Sequence, residues 1–380
     1  MYCQPIRSVS AVERIAQKWD ALSAHSGQAN IFLTREWLMT WWKFSGQSDQ
    51  LYLLTVNNQA GELVGLAPLM IRKKPGFGGA KIREVTFLGN DAACSEHLDF
   101  LSRSGQEQEV ATAISAYLRE HHADWDMLYL TDIPLHSITL ETLRAQLAND
   151  HIWIDEEGAS CPYLPISDSW DAYWDSKSGR TRRTFRYKRR RFEKRTGGRF
   201  VFCDSPQQVQ EALSRLSELN PTRWQAKGEK SAFAQQTFQA FHQEIAQRLL
   251  AKGWLDLSYL EVHDQIAAVV YSFQYGNKIF YYNSAFDPQW SKYGLGYVLL
   301  GYCIERAFTK ELEEYDFLRG LHSYKFEWTS LTRQNRNVSI LRRSPKMRLW
   351  HEMQNRTRLA KDKAKEHLPL NVKQWLKRVV

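Results

Sequence analysis

The 380-residue chain has no stretch of about twenty apolar residues, which argues against a membrane-spanning helix. The opening MYCQPIRSVSAVERIAQKWD is charged and helix-like and has no apolar core, so no secretory signal is expected. Cysteine is scarce. Cys3, Cys94, Cys161, Cys203 and Cys303 are odd in number, widely spaced and without a CxxC pair or Cys/His cluster. A disulfide framework and a metal site are therefore not expected, and a reducing cytoplasm is the expected compartment. P-loop, dinucleotide-binding and nucleophile-elbow signatures are also missing.

What is present is an ordinary globular composition, 43% apolar and 13% aromatic, enough for one large core or two of medium size. The net charge of +9 is uneven. Lys177–Arg195 holds eleven Lys/Arg and one acid, and Thr329–Val380 holds fourteen Lys/Arg and three acids, so the remainder carries −12. A general nucleic-acid binder would be basic over a whole face. Two basic islands on an acidic chain point instead to a local anionic partner.

Apolar periodicity predicts a helix over residues 9–26 and another starting at Thr34 as N-cap, with Trp37, Leu38, Trp41 and Trp42 as its stripe. LYLLTVNNQAGELVGLAPLMIRK reads as two strands around a turn at Asn57–Gly61. KIREVTFLG, EHLDFLS and DMLYLTDI read as further strands, and Gln106–His122 as a helix. In the second half, Trp170–Arg195 reads as a helix broken near Gly179, GGRFVFCDS as a strand, and Pro206–Gly228 and Phe233–Lys252 as helices. LSYLEVHDQIAAVVYSFQYGNKIFYYNSAFDP is the clearest signal: three strands with turns at His263–Gln265 and Gly276–Lys278. A glycine-opened helix, SKYGLGYVLLGYCIERAFTKEL, and a strand, YDFLRG, follow. The expected fold class is α/β, with domains over 1–165 and 166–345 and a basic amphipathic helical tail over 346–380.

Several residues could carry chemistry. Tyr293, Gly294, Leu295 and Gly296 open a helix after a strand. Glycines there let backbone N–H groups approach a pyrophosphate at a helix N-terminus, or simply make a turn. Asp316 ends a strand and is either a cap or a site organiser, and His322, Tyr324 and Lys325 follow it as candidate acids and bases. Arg223, beside Trp224, either grips an anion or closes a helix-end ion pair. His97 and Asp99 alternate onto one face if EHLDFLS is a strand, and serve either the acceptor or the structure.

Taken together these segments resemble a known family. RTFRYKRRRFEK, NPTRWQAKG, LEVHDQIAAVVYSFQYGNKIFYYNSAFDPQWSKYGLGYVLL and YDFLRGLHSYKFEWTS are similar, in that order, to the FemAB-like branch of the GNAT acyltransferases, and most to its CelD-type cellulose-biosynthesis group. FLTREWLMTWWKFSG, LVGLAPLMIRKK and FLGNDAACSEHLDFL resemble that group's N-terminal domain. The resemblance implies two tandem GNAT-like domains with mixed sheets flanked by helices. It also implies acyl transfer from acetyl-CoA or a longer acyl-CoA, without a metal. The family holds the CoA pyrophosphate with R/Q-x-x-G-x-G/A; here Ser291 stands at the first position and both glycines are kept. The backbone N–H donors to the oxyanion would then come from the strand Phe280–Ser284, with Tyr282, Asn283 and Ser284 contacting the cofactor, and the Tyr324–Lys325 pair would border the cleft.

The resulting expectation is an N-acyltransferase acting on an amino group, such as that of an amino sugar or a nucleotide- or lipid-linked precursor, in cell-envelope or exopolysaccharide biosynthesis. An aminoacyl-tRNA-dependent FemAB-type transferase and a non-catalytic anion-binding protein are the alternatives. In the basic stretch, Phe185 and Phe192 are seven apart and turn inward, so Arg182, Arg186 and Arg189 share a face. That face lines an anionic or glycan-linked acceptor or the CoA phosphates, or is simply solvated. The tail, with Leu349, Trp350, Leu359, Leu368, Trp375 and Leu376, either contacts an anionic inner-membrane face or packs on its own domain. Nucleic acid is not an expected partner.

Overall fold

Thr34 caps its helix as expected: its hydroxyl accepts from the Trp37 N–H at 3.3 Å, and Trp37, Leu38 and Trp41 are buried. This is seen in a computed structural model that describes residues 1–76, 79–90, 93–225 and 231–367, without the side chains of 221–225 and 358–367. The chain divides into two units, residues 1–159 joined by the segment from Gln334 onward, and residues 160–333. The expected boundaries lay after 165 and 345.

The first unit runs β1 (Tyr2–Ile6), α1 (Val9–Arg14), α2 (Ala16–Ala24), α3 (Arg35–Ser45), β2 (Gln50–Leu51), β3 (Leu53–Asn57), β4 (Leu63–Ala67), β5 (Leu69–Pro75), β6 (Lys81–Phe87), β7 (Leu101–Ser102), α4 (Glu107–Glu120), β8 (Met127–Pro134), α5 (Ile138–Leu147) and the first part of β9 (His151–Pro165). The second unit adds the end of β9, then α6 (Trp170–Ser176), α7 (Gly179–Thr196), β10 (Arg199–Phe202), α8 (Pro206–Gln225), α9 (Gln236–Ala251), β11 (Leu255–Val262), β12 (Gln265–Tyr275), β13 (Lys278–Phe286), α10 (Leu295–Thr309) and β14 (Glu314–Asp316). The chain then returns through β15 (Thr332–Arg342) to α11 (Pro345–His367).

The first unit holds two sheets. One is antiparallel in the order β1-β3-β4-β7; in the other, β15 lies beside β8, and β8 runs parallel to β6. Pro68 separates β4 from β5 and sends them to different sheets, so LVGLAPLMIRK is two strands and not one. The second unit's sheet runs β10-β11-β12-β13-β14 and on to the end of β9, antiparallel except for the parallel pair β13 and β14. Both units are thus α/β with mixed sheets flanked by helices, the expected class.

The turn between β11 and β12 places His263 and Asp264 at φ 50° and 59°, the left-handed pair of a tight hairpin. The single helix expected over 9–26 breaks at Ile15. The strand expected at EHLDFLS is confined to Leu101–Ser102, and His97 has φ 54°. Alternation therefore does not place His97 and Asp99 on one face. The helix α5 and the strands β9 and β15 were not read from the sequence.

In the second unit, Phe185 (2% exposed) and Phe192 (0%) turn inward as expected. They join Leu260, Val270, Leu299 and Ile304 in one apolar cluster between α7, α10 and the sheet. Burying each such side chain contributes about 1.5–3 kcal/mol. Gly301 lets α7 approach α10: a Cβ there would lie 2.1 Å from Phe185 Cε2. Among the described residues, no helix is long and apolar enough to cross a membrane.

Candidate active site

The second unit's sheet opens at β13. Its parallel ladder to β14 covers only Lys278–Phe280 against Glu314–Asp316, while β13 continues to Phe286. On its other side the register to β12 slips between Tyr271 and Ser272, which pair with Asn283 and Tyr281. Tyr282 is the extra residue of this bulge. A bulge re-aims the side chain it carries, which is why such features recur beside sites. The sequence shows neither event, because both belong to strand pairing.

Three predicted residues sit at this opening. The Tyr282 hydroxyl lies 3.1 Å from His242 Nε2, and His242 Nδ1 lies 3.3 Å from the Tyr271 hydroxyl. His242 is 1% exposed, and burial pushes its pKa down to about 3, so the ring is neutral. Asn283 accepts from Asn220 Nδ2 at 2.7 Å, and Asn220 Oδ1 accepts from the Ser231 hydroxyl at 2.6 Å. The Ser284 hydroxyl lies 2.5 Å from that of Tyr281. His242, Asn220 and Ser231 were not foreseen: a lone histidine on an apolar helix carries no signal in one sequence.

The turn Pro288–Tyr293 then leads into α10. Gly294 sits at φ 67°, ψ 42° as the helix N-cap, a left-handed conformation that favours glycine. No side chain caps α10; its opening N–H groups and the helix dipole make an anion-binding end. Gly296 lies against Phe286, 3.3 Å from a Cβ placed there to the ring.

The basic helix α7 supplies cations to this end, though not the expected ones. Arg182 pairs with Asp175 at 2.6 Å, and Arg189 with Glu305 at 2.7 Å and Glu193 at 3.2 Å. Arg186 is exposed. Instead, a Cβ on Gly294 would lie 3.1 Å from Lys188 Cδ and 3.4 Å from its Nζ. Arg191 donates to the Lys292 carbonyl at 3.1 Å and lies over the Tyr293 ring. Both residues flank the Phe185–Phe192 stripe on the side opposite Arg182 and Arg189. A helical projection anchored on the two phenylalanines shows that flank; choosing it requires knowing where α10 lies.

The segment after β14 is built around internal bonds. Asp316 is fully buried, accepts from the Leu318 N–H at 2.7 Å and lies 3.7 Å from Arg333. The Lys325 ammonium, expected to be solvated or at the site, is 3% exposed and donates to the carbonyls of Phe317, Leu318 and Arg319 at 2.7, 3.0 and 2.6 Å. These two residues fold the 316–320 turn, which holds Leu318 at φ 54°. His322 is exposed and its ring is stacked with that of Tyr324 at 5.9 Å.

The remaining candidates lie elsewhere or outside the description. His97 and Asp99 belong to the first unit. His97 Nδ1 lies 3.1 Å from Asn335 Oδ1, and Asp99 accepts from the Phe100 N–H at 2.7 Å, with burial raising its pKa. Arg223 and Trp224 are on α8, but their side chains lie outside the described residues, as do Leu359, Leu368, Trp375 and Leu376. At the start of the tail, Met347 is fully buried with Ile82, Met127 and Leu341.

Residues 179–326 match the model of the acetyltransferase (GNAT) domain. No curated protein matches the chain. Among solved structures, FemX superposes over 89% of this chain and 97% of its own at TM-score 0.62 and 12% identity. L-PGS from Bacillus licheniformis covers 90% and 95% at 0.51 and 14%. A conserved protein of unknown function from Bacteroides thetaiotaomicron VPI-5482 covers 86% and 97% at 0.55 and 11%. The chain therefore contains a GNAT-type domain within a FemX-like fold, and its enzyme class is acyltransferase.

Proposed function

We propose that the protein transfers an acyl group from acyl-CoA to an amino group, on an amino sugar or a nucleotide- or lipid-linked precursor of cell-envelope or exopolysaccharide biosynthesis. The observation that carries this reading is the left-handed Gly294 at the N-terminus of α10 with the Lys188 side chain against it. A diphosphate bound there would meet the opening N–H groups and dipole of α10, with Lys188 and Arg191 close by as cations. Acyl-CoA would supply a thioester whose carbonyl is open to attack by a neutral amine.

The chain's own groups then have defined tasks. Backbone N–H groups of β13 beyond Phe280, where the ladder to β14 ends, can donate to the carbonyl oxygen as it gains charge. The neutral His242 holds the Tyr282 hydroxyl at the bulge. The amine's proton must leave as the C–N bond forms and the C–S bond breaks. Exposed His322 can pass a proton to water, whereas the Lys325 ammonium is committed to three carbonyls.

A thermal-shift series with CoA, acetyl-CoA and longer acyl-CoAs tests the reading. Binding raises the melting temperature as RT ln(1 + [L]/Kd). A flat response to every acyl-CoA, beside a response to aminoacyl-tRNA, would replace the donor; a flat response to both would remove the reading.

A further inference from the structure

The outer ridge of α7 is unused by the site. Opposite the buried Phe185–Phe192 stripe, Arg180, Arg183, Arg186, Arg190 and Lys194 are all exposed, with Tyr187 among them at 62% exposure. Among the described residues, the ion pairs of α7 are made by Arg182 and Arg189, so the ridge cations are not neutralised by the protein. From Arg180 to Lys194 the ridge is about 21 Å long at 1.5 Å per residue.

A second observation lies at the same end of the unit. The Trp328 carbonyl accepts from Lys177 Nζ at 2.5 Å and from the Tyr173 hydroxyl at 2.8 Å, and the Trp328 ring is 5.7 Å from that of Phe185. The segment around Trp328 is thus fastened to α6 and to the link ahead of α7, and packs on the inward Phe185 of α7. That segment exposes Leu321 (59%), Phe326 (40%) and Leu331 (45%). A nucleic acid would meet the cations but offers little to exposed leucines. A bilayer interface accommodates all three kinds of group: cations at anionic headgroups, tyrosine at the interface and leucine and phenylalanine at the acyl boundary.

We propose that α7 docks this unit on an anionic lipid surface. The same helix carries Lys188 on its inner flank at Gly294, so docking sets the end of α10 one helix width from the headgroups, within reach of a lipid-linked acceptor. The docking goes beyond the acyl-transfer reading and does not depend on it.

Co-sedimentation with vesicles of phosphatidylcholine, with and without about one-third phosphatidylglycerol, tests this at low salt and at about 0.15 M. The full chain is expected to partition onto the anionic vesicles alone, and less at the higher salt. Each cation at a membrane surface is worth about fivefold, so the variant R183Q/R190Q/K194Q is expected to lose roughly a hundredfold. Its melting temperature and its response to CoA are expected to be unchanged, which separates lost docking from a lost fold or a wrong donor. Equal partition of variant and parent, or no preference for anionic vesicles, would overturn the proposal. So would tighter retention of tRNA than of anionic vesicles at about 0.15 M salt.

Discussion

Replacing Lys188 by Gln tests whether the ammonium at Gly294 serves the donor or merely packs there. The Lys188 side chain is half-buried, and its charge faces the Tyr297 ring, with Nζ 4.8 Å from the ring centroid. A charge-assisted bond to phosphate is worth about 1.5–3 kcal/mol when well shielded; half-exposed, about 1 kcal/mol is expected, or roughly fivefold in Kd. The folded protein should lose almost nothing, since no carboxylate is left alone. Gly294→Ala should behave differently. Forcing an L-residue to φ 67° costs about 1–2 kcal/mol of stability. The new Cβ, 3.1 Å from Lys188 Cδ, also pushes that side chain aside. Titration calorimetry with CoA, alongside urea unfolding, reads both quantities. The expected result is weaker, less salt-sensitive binding in both variants, with stability lost in Gly294→Ala alone. CoA affinity unchanged in both would show that the end of α10 is not the donor site.

Other outcomes follow from the packing. Gly301→Ala should destabilise by at least the 1–3 kcal/mol typical of overpacking, because its Cβ would fall 2.1 Å from Phe185 and 3.0 Å from Trp328; a chemical-denaturation midpoint within error of the parent would contradict the contact. Lys325→Met should cost at least about 3 kcal/mol, since each of three inward carbonyls left without a donor costs about 1–3 kcal/mol; a normally stable, inactive variant would return Lys325 to the chemistry. His242 has a depressed pKa, so its contribution to stability is complete above the unfolded value of 6.5 and is lost as pH falls toward about 3. Between pH 7 and pH 5 it should account for about 2 kcal/mol of lost stability. That increment should vanish in His242→Phe, and identical pH profiles for parent and variant would show that the ring is not held neutral. His322→Ala should lower kcat more than KM and leave stability unchanged, measured with whichever acyl-CoA gives the thermal shift.

The sequence made some of this legible and hid the rest for physical reasons. The meander β11-β12-β13, the inward phenylalanines of α7 and the glycine-opened α10 were readable because each depends on short periodicities and turn residues. The bulge at Tyr282 and the early end of the β13–β14 ladder were not, since they arise between strands far apart in the chain. For Lys325 and Asp316 the residue types suggested chemistry, while the structure spends both on backbone groups of one turn. In the basic stretch, Arg182 and Arg189, which the sequence put forward, meet carboxylates, while Lys188 and Arg191 on the other flank meet the start of α10. The His97–Asp99 pairing failed because a left-handed residue interrupts the strand on which it relied.

The return of the chain through β15 has a consequence for biosynthesis. Val338–Leu341 pairs with Met127–Leu130 of β8, so the first unit cannot close its sheet until more than two hundred further residues have left the ribosome. The second unit is contiguous over 160–333 and can finish folding while the first still waits with an open edge on β8. Such long-range closure is slow and exposes a strand edge meanwhile. A polypeptide stopped just before β15 should therefore yield a protease-resistant second unit and a labile first one. The latest part of the chain to be made would then decide the solubility of the earliest.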